Sequence, residues 1–129
     1  MSLKARWYRD KLAKKRAKGL RGFPVATVAY YGPDNVRASK LVVGIIASEG
    51  LDADVLEKWF SDDADVRADP RIAEAVVRFI EGHEAKSVVA TDRIIGCPHE
   101  EGVDYPLGEK CPQCPYWATH DRWTREPVP

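Results

Sequence analysis

The residues best suited to chemistry in this chain are its cysteines, and all three lie close together near the C-terminal end: Cys97, Cys111 and Cys114. Cys97 and His99 stand at i and i+2, so in an extended segment their side chains point the same way. After residues 100–110 comes Cys111-Pro112-Gln113-Cys114-Pro115, a tight turn in which two thiolates can converge on one ion. Three sulfurs and one imidazole make a Cys₃His set, which suits a single structural Zn2+ held tetrahedrally. The odd cysteine count and the C-x-x-C spacing favour metal or redox chemistry over a disulfide framework. His120 is the rival to His99 as fourth ligand, with His99 preferred for its proximity to Cys97. His83 falls at the end of an expected helix, where a capping role is the simpler reading.

The Cys111–Pro115 run resembles the knuckle of zinc-ribbon proteins, and that resemblance implies zinc ligation, with Cys97 and His99 as the second pair. Ribbons usually carry two C-x-x-C knuckles, and here the first is C-x-H. A second resemblance is to zinc nucleobase deaminases, through His99-Glu100-Glu101 followed by Cys111-x-x-Cys114. It implies His99, Cys111 and Cys114 as ligands, with Glu101, or Glu100 beside it, as the acid/base of a zinc hydrolase or deaminase. Lys110 stands before Cys111 where that motif has proline, and Cys97 offers a fourth ligand that closes the water position. Cys-Pro-x-Cys is also similar to the glutaredoxin and thioredoxin motif, but no helical pattern follows Pro115 to lower a thiol pKa.

The elements that must position these groups read as α, β, β, α, α, β and an irregular tail. Residues 3–18 lack Pro and Gly and are rich in Ala, Lys, Leu and Arg, which favours a helix. The i, i+4 pairs Leu3/Trp7 and Tyr8/Leu12 give its first turns an apolar face. Residues 25–31 and 40–47 are β-branched and aromatic, and Gly32-Pro33-Asp34-Asn35 between them makes a hairpin. The second strand is apolar almost throughout and is expected to be buried on both faces, with Gly44 marking a close approach of the helices. Val55, Leu56, Trp59 and Phe60 fit one face of a short helix. Residues 61–65 are an acidic loop exposed to solvent, lacking the spacing of a calcium loop. Asp69-Pro70 opens another helix with Ile72, Ala73, Val76, Phe79 and Ile80 inward. Residues 86–95 form a third extended segment. The class is α+β: a small, mostly antiparallel sheet with about three helices and a zinc-stabilised C-terminal tail.

One domain is expected from 129 residues: a basic N-terminal helix (1–22), an α+β core (23–96) and a zinc-binding tail (97–129). No apolar run approaches the roughly 20 residues of a membrane span, and residues 1–10 do not resemble a secretory leader, so a cytoplasmic protein without a membrane partner is expected. The formal charge is zero, yet residues 1–22 hold nine basic groups and one acid, and the remainder is −8. Arg9, Lys11, Lys14, Lys15, Arg16 and Lys18 could contact nucleic acid or an acidic protein surface. They could equally lie against the acidic body of the same domain or of a sister copy, which leaves homo-oligomers open. Tyr105, Tyr116, Trp117 and Trp123 could stack on bases, or fold over the metal loop as its missing core. Asp121-Arg122 could orient a ligand histidine. The sequence favours a non-catalytic binding module, with the zinc enzyme as the alternative.

Overall fold

The computed structural model describes residues 3–18 and 20–120, with residues 3–6 and 92 described in their backbone alone. Helix α1 spans Leu3–Lys18, and strands β1 (Val25–Tyr31), β2 (Lys40–Ile46) and β3 (Val55–Phe60) follow. Helix α2 (Pro70–Gly82), strand β4 (Ser87–Ile94) and the short helix α3 (Pro115–Thr119) complete the fold, which is α+β. The sheet order is β3-β2-β1-β4. β1–β2 and β2–β3 pair antiparallel, and β4 runs parallel to β1. No helix among the described residues is long and apolar enough to cross a membrane.

The β1–β2 hairpin forms where the turn residues place it. Asp34 accepts hydrogen bonds from the amides of Val36 and Arg37 at 2.8 and 3.1 Å, so the side chain closes the turn that the backbone begins. Helix α2 starts as its residues dictate: Asp69 accepts from the amides of Arg71 and Ile72, and Pro70 fills the first turn. Its apolar face, Ile72, Val76 and Ile80, meets Ala26, Val28, Tyr30, Leu41, Val43 and Ile45 in the core. These strand residues alternate, as one buried sheet face requires.

Residues 55–60 are a strand and not a helix. Their spacing fits either period, but a six-residue helix gains few i→i−4 bonds to offset its nucleation. The open edge of β2 instead offers six consecutive pairings, from Lys40↔Phe60 to Ile45↔Val55. Trp59 then turns inward against Phe79, ring centroids 5.8 Å apart, while Leu56 and Phe60 face outward at 59% and 61% exposure. β2 is fully buried on its core face, while its other face is mixed, with Lys40 and Gly44 buried and Val42 and Ile46 half-buried. Gly44 is hemmed in by Leu56, Thr27 and Ala53, so neighbouring strands and a loop, not helices, crowd it. The extended segment before the tail is one strand with a register shift opposite Val28 and Tyr30.

Helix α1 packs along α2 and β4. Leu12 joins the core, but Trp7 is 54% exposed, with Lys11 over its ring at 4.7 Å. Lys11 and Lys15 reach Glu81 of α2 at 2.9 and 3.7 Å, while Arg9, Lys14 and Lys18 face solvent.

The acidic loop also has a structural member. Asp65 accepts from the Ala38 amide at 3.0 Å and pairs with Arg67 at 2.6 Å. Burial alone would raise its pKa, but the Arg67 guanidinium and the Ala38 and Arg67 amides outweigh that and hold the carboxyl at about 2. A depressed folded-state pKa stabilises above the unfolded value and is lost as pH falls through the folded one. Asp65→Asn should therefore cost about 1 kcal/mol at neutral pH, once solvent screening is allowed for. Denaturant melts should find that difference fading between roughly pH 4 and about 2.

Candidate metal centre

The four donors reach one point because the chain around each is pinned to the hairpin. Beyond β4 the strand direction continues: the Ile95 amide donates to the Tyr30 carbonyl and the Gly32 amide to the Gly96 carbonyl, each at 2.9 Å. Cys97 is thereby fixed at the tip of the sheet. The His99 amide donates to the Cys97 sulfur at 3.3 Å, turning the imidazole back over it. Residues 100–105 close on themselves, with the Glu100 amide on Asp104 at 2.7 Å and the Gly102 amide on the Tyr105 carbonyl at 2.7 Å. Glu101 accepts from the Gly108 amide at 3.0 Å, which folds the loop back toward Cys111. Cys114 is the N-cap residue of α3 and Pro115 its first residue. This helix is absent from the sequence reading, yet proline at the first turn needs no amide partner and presets the helical φ.

One helical turn on, Trp117 packs against the core and donates from Nε1 to the Gly32 carbonyl at 2.7 Å. Gly32 thus bonds both ends of the metal loop. A Cβ there would lie 1.9 Å from the Arg37 carbonyl oxygen, so no other residue fits without moving the hairpin turn. The sequence offers Trp117 as an aromatic that could fold over the metal loop and Gly32 only as part of a turn; the structure makes both of them anchors of the loop.

The donor atoms of Cys97, His99, Cys111 and Cys114 all lie within 4.8 Å of one another. From His99 Nδ1 the three sulfurs stand at 3.2, 3.4 and 3.5 Å. A tetrahedral ion with sulfur near 2.3 Å and nitrogen near 2.0 Å sets that edge at about 3.5 Å. The four are close enough to bind a metal ion, and the donor set is soft, as for zinc, rather than the oxygen set that calcium and magnesium need. Burial first, then Cys97 and Cys111 alongside, pushes the Cys114 thiol far up. Burial also raises Cys97. These are the opposite of the lowered thiol that disulfide exchange requires, whereas a bound dication would convert the cluster to thiolates.

His120 stands apart from the four. Its Nδ1 contacts the Tyr116 carbonyl at 2.9 Å and the Thr119 hydroxyl at 3.0 Å, and its ring stacks on Tyr116 at 4.0 Å. Nor does either glutamate stand free beside the donors: Glu101 holds Gly108, and Glu100 is salt-bridged to Lys58 and, at 3.5 Å, to Lys40. Those ammoniums, Lys58 first, lower the Glu100 pKa. His83 is the C-cap of α2, its ring 4.5 Å from Phe79. Asp121, Arg122 and Trp123 lie outside the described residues. Lys40, 5% exposed and donating to the Pro98 carbonyl at 3.0 Å, is the site neighbour the sequence reading passed over. Its only signal was one charge at the mouth of an apolar strand.

Comparison with protein-family models, curated proteins and solved structures finds no match for this chain.

Metal titration separates the two histidines. His99→Ala is expected to weaken zinc or cobalt binding at least about tenfold, and His120→Ala to leave it unchanged. Equal loss in both variants would mean that His120 is a ligand.

Proposed function

We propose that this chain is a non-catalytic binding module whose C-terminal part is ordered by one structural Zn2+ on Cys97, His99, Cys111 and Cys114, with nucleic acid as its leading partner. The observation that carries this reading is the convergence of four protein donors within 4.8 Å. Four donors fill a tetrahedral shell, whereas catalytic zinc keeps one position for water. The hydrolase or deaminase alternative also needs a carboxylate near that water, and both Glu100 and Glu101 are engaged elsewhere.

Zinc supplies what the tail cannot supply for itself. Residues 97–114 contain two aliphatic side chains beyond their prolines, Val103 and Leu107, and both are exposed. A structural site contributes on the order of 10 kcal/mol of apparent folding free energy, enough to offset the ordering cost of such a loop. Chelation, or Cys114→Ser, should open residues 97–120 to protease while the hairpin, α1 and α2 stay protected. Equal resistance with and without chelator would overturn the structural role.

For the partner, the outward cations Arg9, Lys14 and Lys18 support nucleic acid, while Lys11 and Lys15 are partly neutralised by Glu81. Three phosphate contacts give a slope of log K on log salt of about −2 for a single strand. Binding that ignores salt, or no binding at low salt, would reject nucleic acid as the partner of α1.

A further inference from the structure

A cleft of about 580 Å³ opens between the outer face of the sheet and the metal loop, with His99 and Cys114 in its wall. That volume is in the range of small-molecule sites. We infer that it binds a nucleoside phosphate, the base laid on Phe60 and the phosphate drawn to Lys40, Lys58 and Arg37. The inference rests on the zinc reading, because the metal loop is one wall, but it does not need α1, which packs on α2 and β4.

Three observations meet there. First, register puts Tyr31, Lys40 and Phe60 side by side across β1, β2 and β3. The Lys40 ammonium lies 5.6 Å from the Tyr31 ring centre and 5.7 Å from that of Phe60. An exposed aromatic beside cations on an open sheet face is a platform on which a base can stack.

Second, Lys40 is an ammonium taken almost wholly out of water. Such burial is costly unless the charge is paired. Its partners are one carbonyl, Pro98, and a carboxylate 3.5 Å away that Lys58 shares. One anion serves two cations. Arg37 adds a third cation, hydrogen-bonded to the Ser61 and Ala64 carbonyls at 3.4 and 3.2 Å, with no ion pair among the described residues. Of the other two acids on the cleft, Asp104 is turned into the 100–104 loop by the Glu100 amide, and Asp62 is a solvent-exposed lining residue.

Third, the shared carboxylate is that of Glu100, a half-exposed side chain on the metal loop. It occupies the place between two lysines where an incoming phosphate would be held, so ligand and Glu100 compete. Removing its charge should strengthen binding, which a merely structural glutamate would not do.

The test uses the full chain with its zinc content measured, titrated by calorimetry or NMR with a nucleoside 5′-monophosphate, a short 5′-phosphorylated oligonucleotide and inorganic phosphate. Saturable binding of the mononucleotide is expected, and phosphate alone should bind at least about tenfold more weakly. Phe60→Ala and Lys58→Ala, both surface changes, should each lose about tenfold, Glu100→Gln should gain severalfold, and Lys14→Ala on α1 should change nothing. Tighter binding of the oligonucleotide identifies a strand end as the source, and preference for the mononucleotide identifies the free molecule. The inference is overturned if zinc-replete protein binds no nucleotide, if phosphate alone binds as well, or if Phe60→Ala and Lys58→Ala bind like the parent. Protein without zinc that still binds with these dependences would retain the cleft and reject the zinc reading.

Discussion

Residues 97–114 form a loop with almost no apolar matter of its own, closed on itself at one point and tied to the hairpin on either side of that point. Three sulfurs and one imidazole nitrogen converge there, while Gly32 bonds Gly96 on one side of the cluster and Trp117 on the other. Everything distinctive about the molecule follows from that arrangement. It fixes Pro98 and Glu100 over Lys40, and so makes a cleft of what would otherwise be the open end of a sheet. Without a cation, burial and crowding favour neutral thiols, and hydrogen bonds to one imidazole are a weak substitute for metal–ligand bonds.

The sheet and helices beneath are ordinary in their energetics. A one-faced sheet buries Val28, Leu41, Val43 and Ile45 against Ile72, Val76 and Ile80, and α1 adds Leu12 at the margin. This two-layer body is held by burial, and under the proposed reading the loop beside it is held by coordination. The charge asymmetry divides in the same way. Of the six side chains that looked like a cationic arm, Lys11 and Lys15 face Glu81 of α2, and Arg9, Lys14 and Lys18 face outward.

Legibility in the sequence followed the strength of local signals. Helix α1, strand β1 and the start of α2 could be read because uninterrupted helix formers, β-branched runs and the Asp69-Pro70 cap act within a few residues. The donor cluster could be read because C-x-H and C-x-x-C constrain geometry by spacing alone. What failed was decided at a distance. Residues 55–60 became a strand because β2 had a free edge, and α3 formed where proline masked a helical turn. Trp7 remained exposed although its spacing matched an apolar face. Lys40 and Gly32 mattered through partners more than 50 residues away along the chain, Pro98 and Gly96, which no local pattern announces.

The central claim is a closed shell of four protein donors around one zinc. X-ray absorption at the zinc edge, on protein purified without added metal, measures it most directly. This account expects one zinc per chain, three sulfur neighbours near 2.3 Å and one nitrogen near 2.0 Å. A metal-free protein, or a shell in which oxygen replaces one of the three sulfurs, would contradict it.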